Sequence, residues 1–115
     1  MRRGDIYLVD YEPVRGSEAN KARPAVIVSN DGANAAVGRT GRGVVTVVPL
    51  TSNVSRLYPF QVLLQAGDCG LPKDSKAQCE HVRAMAQERF LRQIGKVPRQ
   101  RMSEIDAALR RHLAL

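Results

Sequence analysis

Six short apolar, β-branched runs punctuate this chain, with Gly, Pro, Asn and Asp clustered between them. That pattern builds antiparallel sheets with tight connections rather than helical bundles. Strands are predicted at Asp5–Asp10, Pro24–Ser29, Gly43–Leu50, Pro59–Leu64, Ala77–Met85 and Gln93–Val97. Pro24 can open its strand but not sit within it, and Pro49 predicts an end or a bulge in the third. A short helical turn is expected after Asn30-Asp31-Gly32, and another around Glu88–Leu91. Gly38, Gly41 and Gly43, interleaved with Arg39 and Arg42, read as a flexible basic tip. No helix is expected after these glycines, so they do not match a phosphate loop, which needs the N–H groups of a helix N-terminus.

Only beyond Pro98 does the period change. Met102, Ile105, Leu109 and Leu113 recur at helical spacing, predicting a helix from about Arg99 to His112. Arg110, Arg111 and His112 fall in its last turn, where positive charge complements the helix dipole. Many strands and one amphipathic helix predict a mostly β (α+β) fold: a small, partly closed antiparallel barrel carrying the C-terminal helix. At 115 residues there is room for a single domain, taken as 1–115. With two Phe, three Tyr and no Trp, its core must be built from Val, Leu, Ile and Ala.

Charge narrows the partners. Eighteen Lys and Arg against eleven Asp and Glu give a net charge of +7, which points first to a polyanion such as nucleic acid and second to an acidic protein. Residues 81–115 hold eight of the basic residues and three of the acidic ones, so much of the excess can lie away from an active centre. Asp5 and Asp10 interrupt the first apolar run, which excludes a signal peptide or membrane span there. Cys69 and Cys79, without a C-x-x-C pairing, predict reduced thiols in a cytoplasmic protein.

Metal and serine-hydrolase chemistry find little support. Two His and two Cys stand at irregular spacings, and no G-x-S-x-G or H-E-x-x-H motif occurs. Polar residues at strand ends are more informative. Arg23 precedes an apolar strand, which fixes the base of a planar fork suited to phosphate oxygens. Glu18 lies just upstream, on a twelve-residue connection from Tyr11 to Ala22 long enough to suggest a functional loop. Thr51 and Ser52 follow the strongest strand and could offer hydroxyl donors.

In order along the chain, several blocks resemble the MazF/PemK family of endoribonuclease toxins. They are Arg3-Gly4-Asp5-Ile6-Tyr7, then Asp10, Pro13 and Gly16-Ser17-Glu18, then Arg23-Pro24-Ala25-Val26-Ile27-Val28-Ser29-Asn30. Val47-Val48-Pro49-Leu50-Thr51-Ser52, Tyr58-Pro59-Phe60-Gln61-Val62, Asp74-Ser75, Glu80-His81-Val82-Arg83 and Ile94-Gly95-Lys96-Val97 continue the match into the final helix. The resemblance implies an SH3-like barrel, a homodimer, and metal-independent cleavage of single-stranded RNA with no cofactor. It also implies a cognate antitoxin whose acidic C-terminal segment covers the RNA groove. Catalytic roles carry over to Arg23 and Thr51, and in some members to Glu18. RNA contacts are expected from Ser17, Ser52, Asn53, Arg56, Tyr58, Gln61 and His81, the last at a position where many relatives carry Gln. Tyr58 is the candidate base-stacking platform, and Phe60 is expected in the core. Two further readings remain open at this point: a CcdB-like topoisomerase poison of the same architecture, and a catalytically silent nucleic-acid-binding barrel.

Overall fold

A computed structural model of the chain describes residues 1–11 and 22–115. Within them, seven strands form one antiparallel sheet: β1 (Asp5–Val9), β2 (Arg23–Ile27), β3 (Val44–Thr51), β4 (Gln61–Leu64), β5 (Ser75–Gln78), β6 (Arg83–Ala86) and β7 (Phe90–Lys96). Their order is β4-β5-β3-β2-β1-β7, with β6 also on β3. β3 holds the sheet together. One of its edges pairs with β2, through Ala25↔Pro49, Val26↔Val48 and Ile27↔Val47. Its other edge pairs first with β6, from Val44↔Ala86 to Val47↔Arg83, and then with β5 at Leu50↔Ala77 and Thr51↔Lys76. By changing partners along its length, β3 joins two sub-sheets into an open barrel. Among the described residues the pairing does not close, and β4 and β7 remain edges.

Pro49 lies inside β3 rather than ending it. It falls where β6 has stopped and β5 has not begun, so on that edge a missing N–H interrupts no ladder. The predicted strand Ala77–Met85 is in fact two, β5 and β6, divided by a 3-10 turn at Cys79–His81 that redirects the chain. The largest departure is at Asp31–Thr40, a ten-residue helix (α1) where one turn and a flexible tip were expected. Asn30 caps it by accepting a hydrogen bond from the Ala33 N–H at 2.8 Å. Gly41 closes it in the left-handed conformation. Gly38 and Arg39 are therefore helical. A single helical turn, α2 (Ala66–Cys69), lies between β4 and β5.

The long C-terminal helix, α3 (Arg99–Leu113), agrees with its predicted bounds within a residue. It buries Met102, Ile105 and Ala108, with Leu109 half-buried, whereas Leu113 is exposed instead of completing the apolar face. No described helix is long and apolar enough to cross a membrane. Two cores result. The first packs α3 against Ile6, Val26, Val48, Leu50, Val62 and Leu64. The second, on the opposite side of β2 and β3, gathers Val9, Ala25, Ile27, Val45, Val47 and Met85, with Tyr7, Tyr11, Val37 and Phe90 packed on it. Alternation along the strands explains the division, because Val26 and Val48 point one way while Ala25, Ile27 and Val47 point the other.

Candidate functional site

Arg23 is the first residue of β2, exposed and opposite Val9 of β1. Continuing the β2–β3 register by two residues from Ala25↔Pro49 places it across from Thr51, the last residue of β3. Both line a groove of about 450 Å³, together with Ser52, Lys73 and Ser75. The Thr51 hydroxyl oxygen accepts a hydrogen bond from the Asn53 N–H at 3.2 Å, and its own proton meets no acceptor among the described residues. Strand ends are rigid places to mount such groups, and the apolar residues behind them hold both backbones.

The loop from Ser52 to Phe60 is organised by its own polar groups. Asn53 Oδ1 accepts from the Ser55 hydroxyl at 2.8 Å and from the Ser55 N–H at 3.3 Å. Arg56 Nη1 donates to the Tyr58 hydroxyl at 3.3 Å. Tyr58 is 43% exposed and stacks parallel to Phe60, with ring centroids 5.5 Å apart. Phe60 is thus half-buried against Tyr58, not in either core as expected. Gln61, the first residue of β4, is buried: it donates to Glu80 Oε2 at 2.6 Å and accepts from the Tyr58 N–H at 3.2 Å. Its amide braces the loop. Glu80 in turn lies 4.0 Å from Nε2 of His81, which is exposed on the 3-10 turn. Asn53, Arg56, Tyr58, Gln61 and His81 are therefore connected to one loop and its supports. Ser17 and Glu18 lie outside the described residues.

Sequence reasoning missed Lys76. It sits on β5 opposite Thr51, buried, with Nζ donating to the Arg56 carbonyl at 2.7 Å and standing 5.9 Å from the Tyr58 ring centroid. A buried ammonium is costly without such partners, so it ties the aromatic loop to the strand behind Thr51. Its place in the run Ser75-Lys76-Ala77 carried no signal beyond a charge between small residues. Tyr11 was missed too. Burial pushes its phenol up to about 12 against the opposing pull of Arg83 and Arg23. Among the described residues, no three His, Cys, Asp or Glu gather as metal ligands. Cys69 and Cys79 are free and buried.

Residues 2–113 match the family model described as PemK-like, MazF-like toxin of type II toxin–antitoxin system. The chain is 58% identical over 115 residues to the protein named endoribonuclease MazF9 of Mycobacterium tuberculosis (strain ATCC 25618 / H37Rv), covering all of this chain and 98% of that relative. An endoribonuclease from Mycobacterial species, solved in complex with its cognate antitoxin, matches at a TM-score of 0.77 and 25% identity, over all of this chain and 96% of that one. MazF from Deinococcus radiodurans matches at a TM-score of 0.76 and 25% identity, over all of this chain and 97% of that one.

Proposed function

The chain belongs to the PemK-like, MazF-like toxins of type II toxin–antitoxin systems, and on that premise we propose that it is an endoribonuclease cutting single-stranded RNA at short motifs without a metal. The ribose 2′-oxygen attacks the adjacent phosphorus, forming a 2′-O–P bond as the P–O5′ bond breaks. The 2′-hydroxyl proton passes to a base and another proton reaches the departing 5′-oxygen, leaving a 2′,3′-cyclic phosphate and a 5′-hydroxyl. Between them lies a phosphorane carrying two negative charges, and stabilising it is the main task.

One observation carries this reading: Arg23, Thr51 and Ser52 line a single groove. A guanidinium stays charged throughout the working pH range and grips two phosphate oxygens at once, which suits it to the phosphorane and not to proton donation. Thr51 donates its free hydroxyl proton to a phosphate oxygen and fixes the scissile group. Glu18 supplies a carboxylate, as base for the 2′-proton or as orienting partner of Arg23. Tyr58, stacked on Phe60 and exposed, offers a face to an unstacked base. Ser52, Asn53, Arg56 and His81 contact the RNA, Ser17 is assigned to the same role by its place in the Gly16-Ser17-Glu18 block, and Gln61 holds the Tyr58 loop in place. The active form is a cytoplasmic homodimer. Its acidic antitoxin occupies the same basic groove, in keeping with the relative solved bound to its antitoxin.

The test is to incubate purified protein with long single-stranded RNA in EDTA and to map cut sites and ends. Cuts at a recurring motif with 5′-hydroxyl ends are expected, and Arg23→Ala should lower the rate by about 10²–10³-fold with the fold intact. A folded Arg23→Ala protein that still cuts at the wild-type rate refutes the assignment. Intact RNA with wild-type protein shifts the case to a topoisomerase poison, read by gyrase activity, or to a silent binder.

A further inference from the structure

Arg83 opens β6 and pairs with Val47 of β3. Directly opposed residues in a sheet share a face, and Val47 belongs to the core that also contains Ala25 and Ile27. Arg23, two positions before Ala25, points to that same side. Tyr11 packs on this core too. The Arg83 guanidinium carbon lies 5.4 Å from the Tyr11 ring centroid, and both Arg83 and Arg23 act electrostatically on the phenol. A single aromatic ring thus stands within the influence of two guanidinium groups.

Arg83 is exposed. The ion pairs among the described residues join Arg2 to Asp31, Arg3 to Asp106, His81 to Glu80 and Arg101 to Glu104, leaving Arg83 without a carboxylate there. Contact with the ring restrains a side chain that would otherwise sample many rotamers, while its N–H donors meet no acceptor among the described residues. A cation fixed in this way loses less entropy when it meets an anion. It does not line the Arg23–Thr51 groove, which leaves it to meet a second anion beside the one held there.

We propose that Arg83, held on the ring of Tyr11, binds a second phosphate of the RNA strand whose scissile phosphate occupies the Arg23–Thr51 groove. This rests on the ribonuclease reading above. The strand then crosses one sheet face from β2 to β6, with a guanidinium at each end. Tyr11 is a positioning residue, and its ring, not its hydroxyl, does the work: the hydroxyl is buried and has no hydrogen-bond partner among the described residues.

Binding of a fully 2′-O-methylated, mixed-sequence oligoribonucleotide tests this, because it carries the phosphates but no nucleophile for cleavage. Affinity of the full-length protein is measured by fluorescence anisotropy between about 50 and about 200 mM salt, with folding of each variant checked by circular dichroism. Each phosphate neutralised on a single strand contributes about 0.7 to the slope of log affinity against log salt. Arg83→Ala should flatten that slope by about 0.7, Arg83→Lys should keep it, and Tyr11→Phe should match wild type. Tyr11→Leu should weaken binding in the same direction as Arg83→Ala. Arg111→Ala, at the far end of α3, is the remote control and should not change the slope. An unchanged slope in Arg83→Ala, while wild type binds and cuts RNA, overturns the proposal alone. The same holds if Arg83→Ala weakens only the complex with an acidic peptide, which would assign the residue to antitoxin contact. Failure of wild type both to bind the oligonucleotide and to cut unmodified RNA overturns the ribonuclease reading and this inference with it.

Discussion

Gly95→Ala should be among the most damaging single-methyl additions in the molecule. Gly95 pairs with Ile6 where β7 meets β1. Its backbone also passes directly beneath the end of α2. A Cβ there would stand 2.0 Å from the Cys69 carbonyl oxygen and 3.2 Å from the carbonyl carbon, whereas ordinary contact begins near 3.4 Å. Both obstacles are backbone atoms, so no side chain can swing aside. Nor can the turn retreat: the Gly70 and Leu71 N–H groups both donate to the Ala66 carbonyl, and Cys69 and Leu71 are anchored in the first core. Overpacking usually costs about 1–3 kcal/mol, and a clash between two fixed backbones belongs at or above the upper end, about 3 kcal/mol. With an unfolding entropy near 2.1 cal/mol/K per residue, each kcal/mol corresponds to about 4 °C for a chain of this length, so Tm should fall by about 12 °C or more. Thermal melts followed by circular dichroism, with urea titrations to check that the m-value holds, measure this. Gly38→Ala is the control, because a Cβ in that helical position meets nothing within 4 Å and should stabilise by about 0.5–1 kcal/mol. If Gly95→Ala melts within about 4 °C of wild type, the close approach of α2 and β7 is wrong.

The thiols give a second check, since burial pushes the Cys79 thiol up to about 12 and Cys69 in the same direction. Both should resist a thiol reagent at pH 8 in the folded protein and react within seconds once it is unfolded in urea; rapid labelling of the folded protein would contradict the buried placement. A raised acid pKa keeps its stabilising effect below the unfolded value and loses it as pH climbs toward the folded one. Cys79, from about 9 to about 12, and Tyr11, from about 10 to about 12, should therefore lower the urea midpoint with rising alkalinity. A midpoint that rises over that range refutes the sign. Arg3 links the chain start to α3, with Nη2 2.5 Å from Asp106 Oδ1 and Nε donating to the Val28 carbonyl at 2.9 Å. Because both side chains are about one-third exposed, Asp106→Asn should cost only about 1 kcal/mol, read as a Tm lowered by about 4 °C that high salt partly erases.

Which parts of this molecule were legible follows from how local their causes are. The limits of α3 were readable because Pro98 and the helical spacing of Met102 and Ile105 act within a few residues. Helix α1 was hidden: Gly32 and Gly38 weaken its propensity, and its support comes from Val37 packing on the second core and from a side-chain lock at its start that propensity does not register. Asn34 is buried, donates to the Ser29 carbonyl at 2.9 Å, and accepts from the Ser29 hydroxyl at 2.5 Å. The break between β5 and β6 was also hidden, because Cys79-Glu80-His81 contains neither Gly nor Pro to mark a turn. At the site, Arg23 and Thr51 were visible as polar residues at the ends of apolar runs. Arg83 was not, since an arginine stacked on Tyr11 looks in sequence like any exposed arginine, and its partner lies at the other end of the chain.

The pairing of Arg23 with Thr51 is nevertheless written into the cores. Sliding β2 by one residue along β3 would turn Val26 out of the first core and Ala25 and Ile27 out of the second. Because both faces of these strands are packed, the penalty of a one-residue slip applies on each side at once. The observed register sets Arg23 opposite Thr51 with no need for a direct contact between them. The chemistry proposed for the groove therefore depends on Val26, Val48, Ile27 and Val47 as much as on the polar pair. On the proposed reading, a substitution that lets β2 slip would silence the groove while leaving Arg23 and Thr51 untouched.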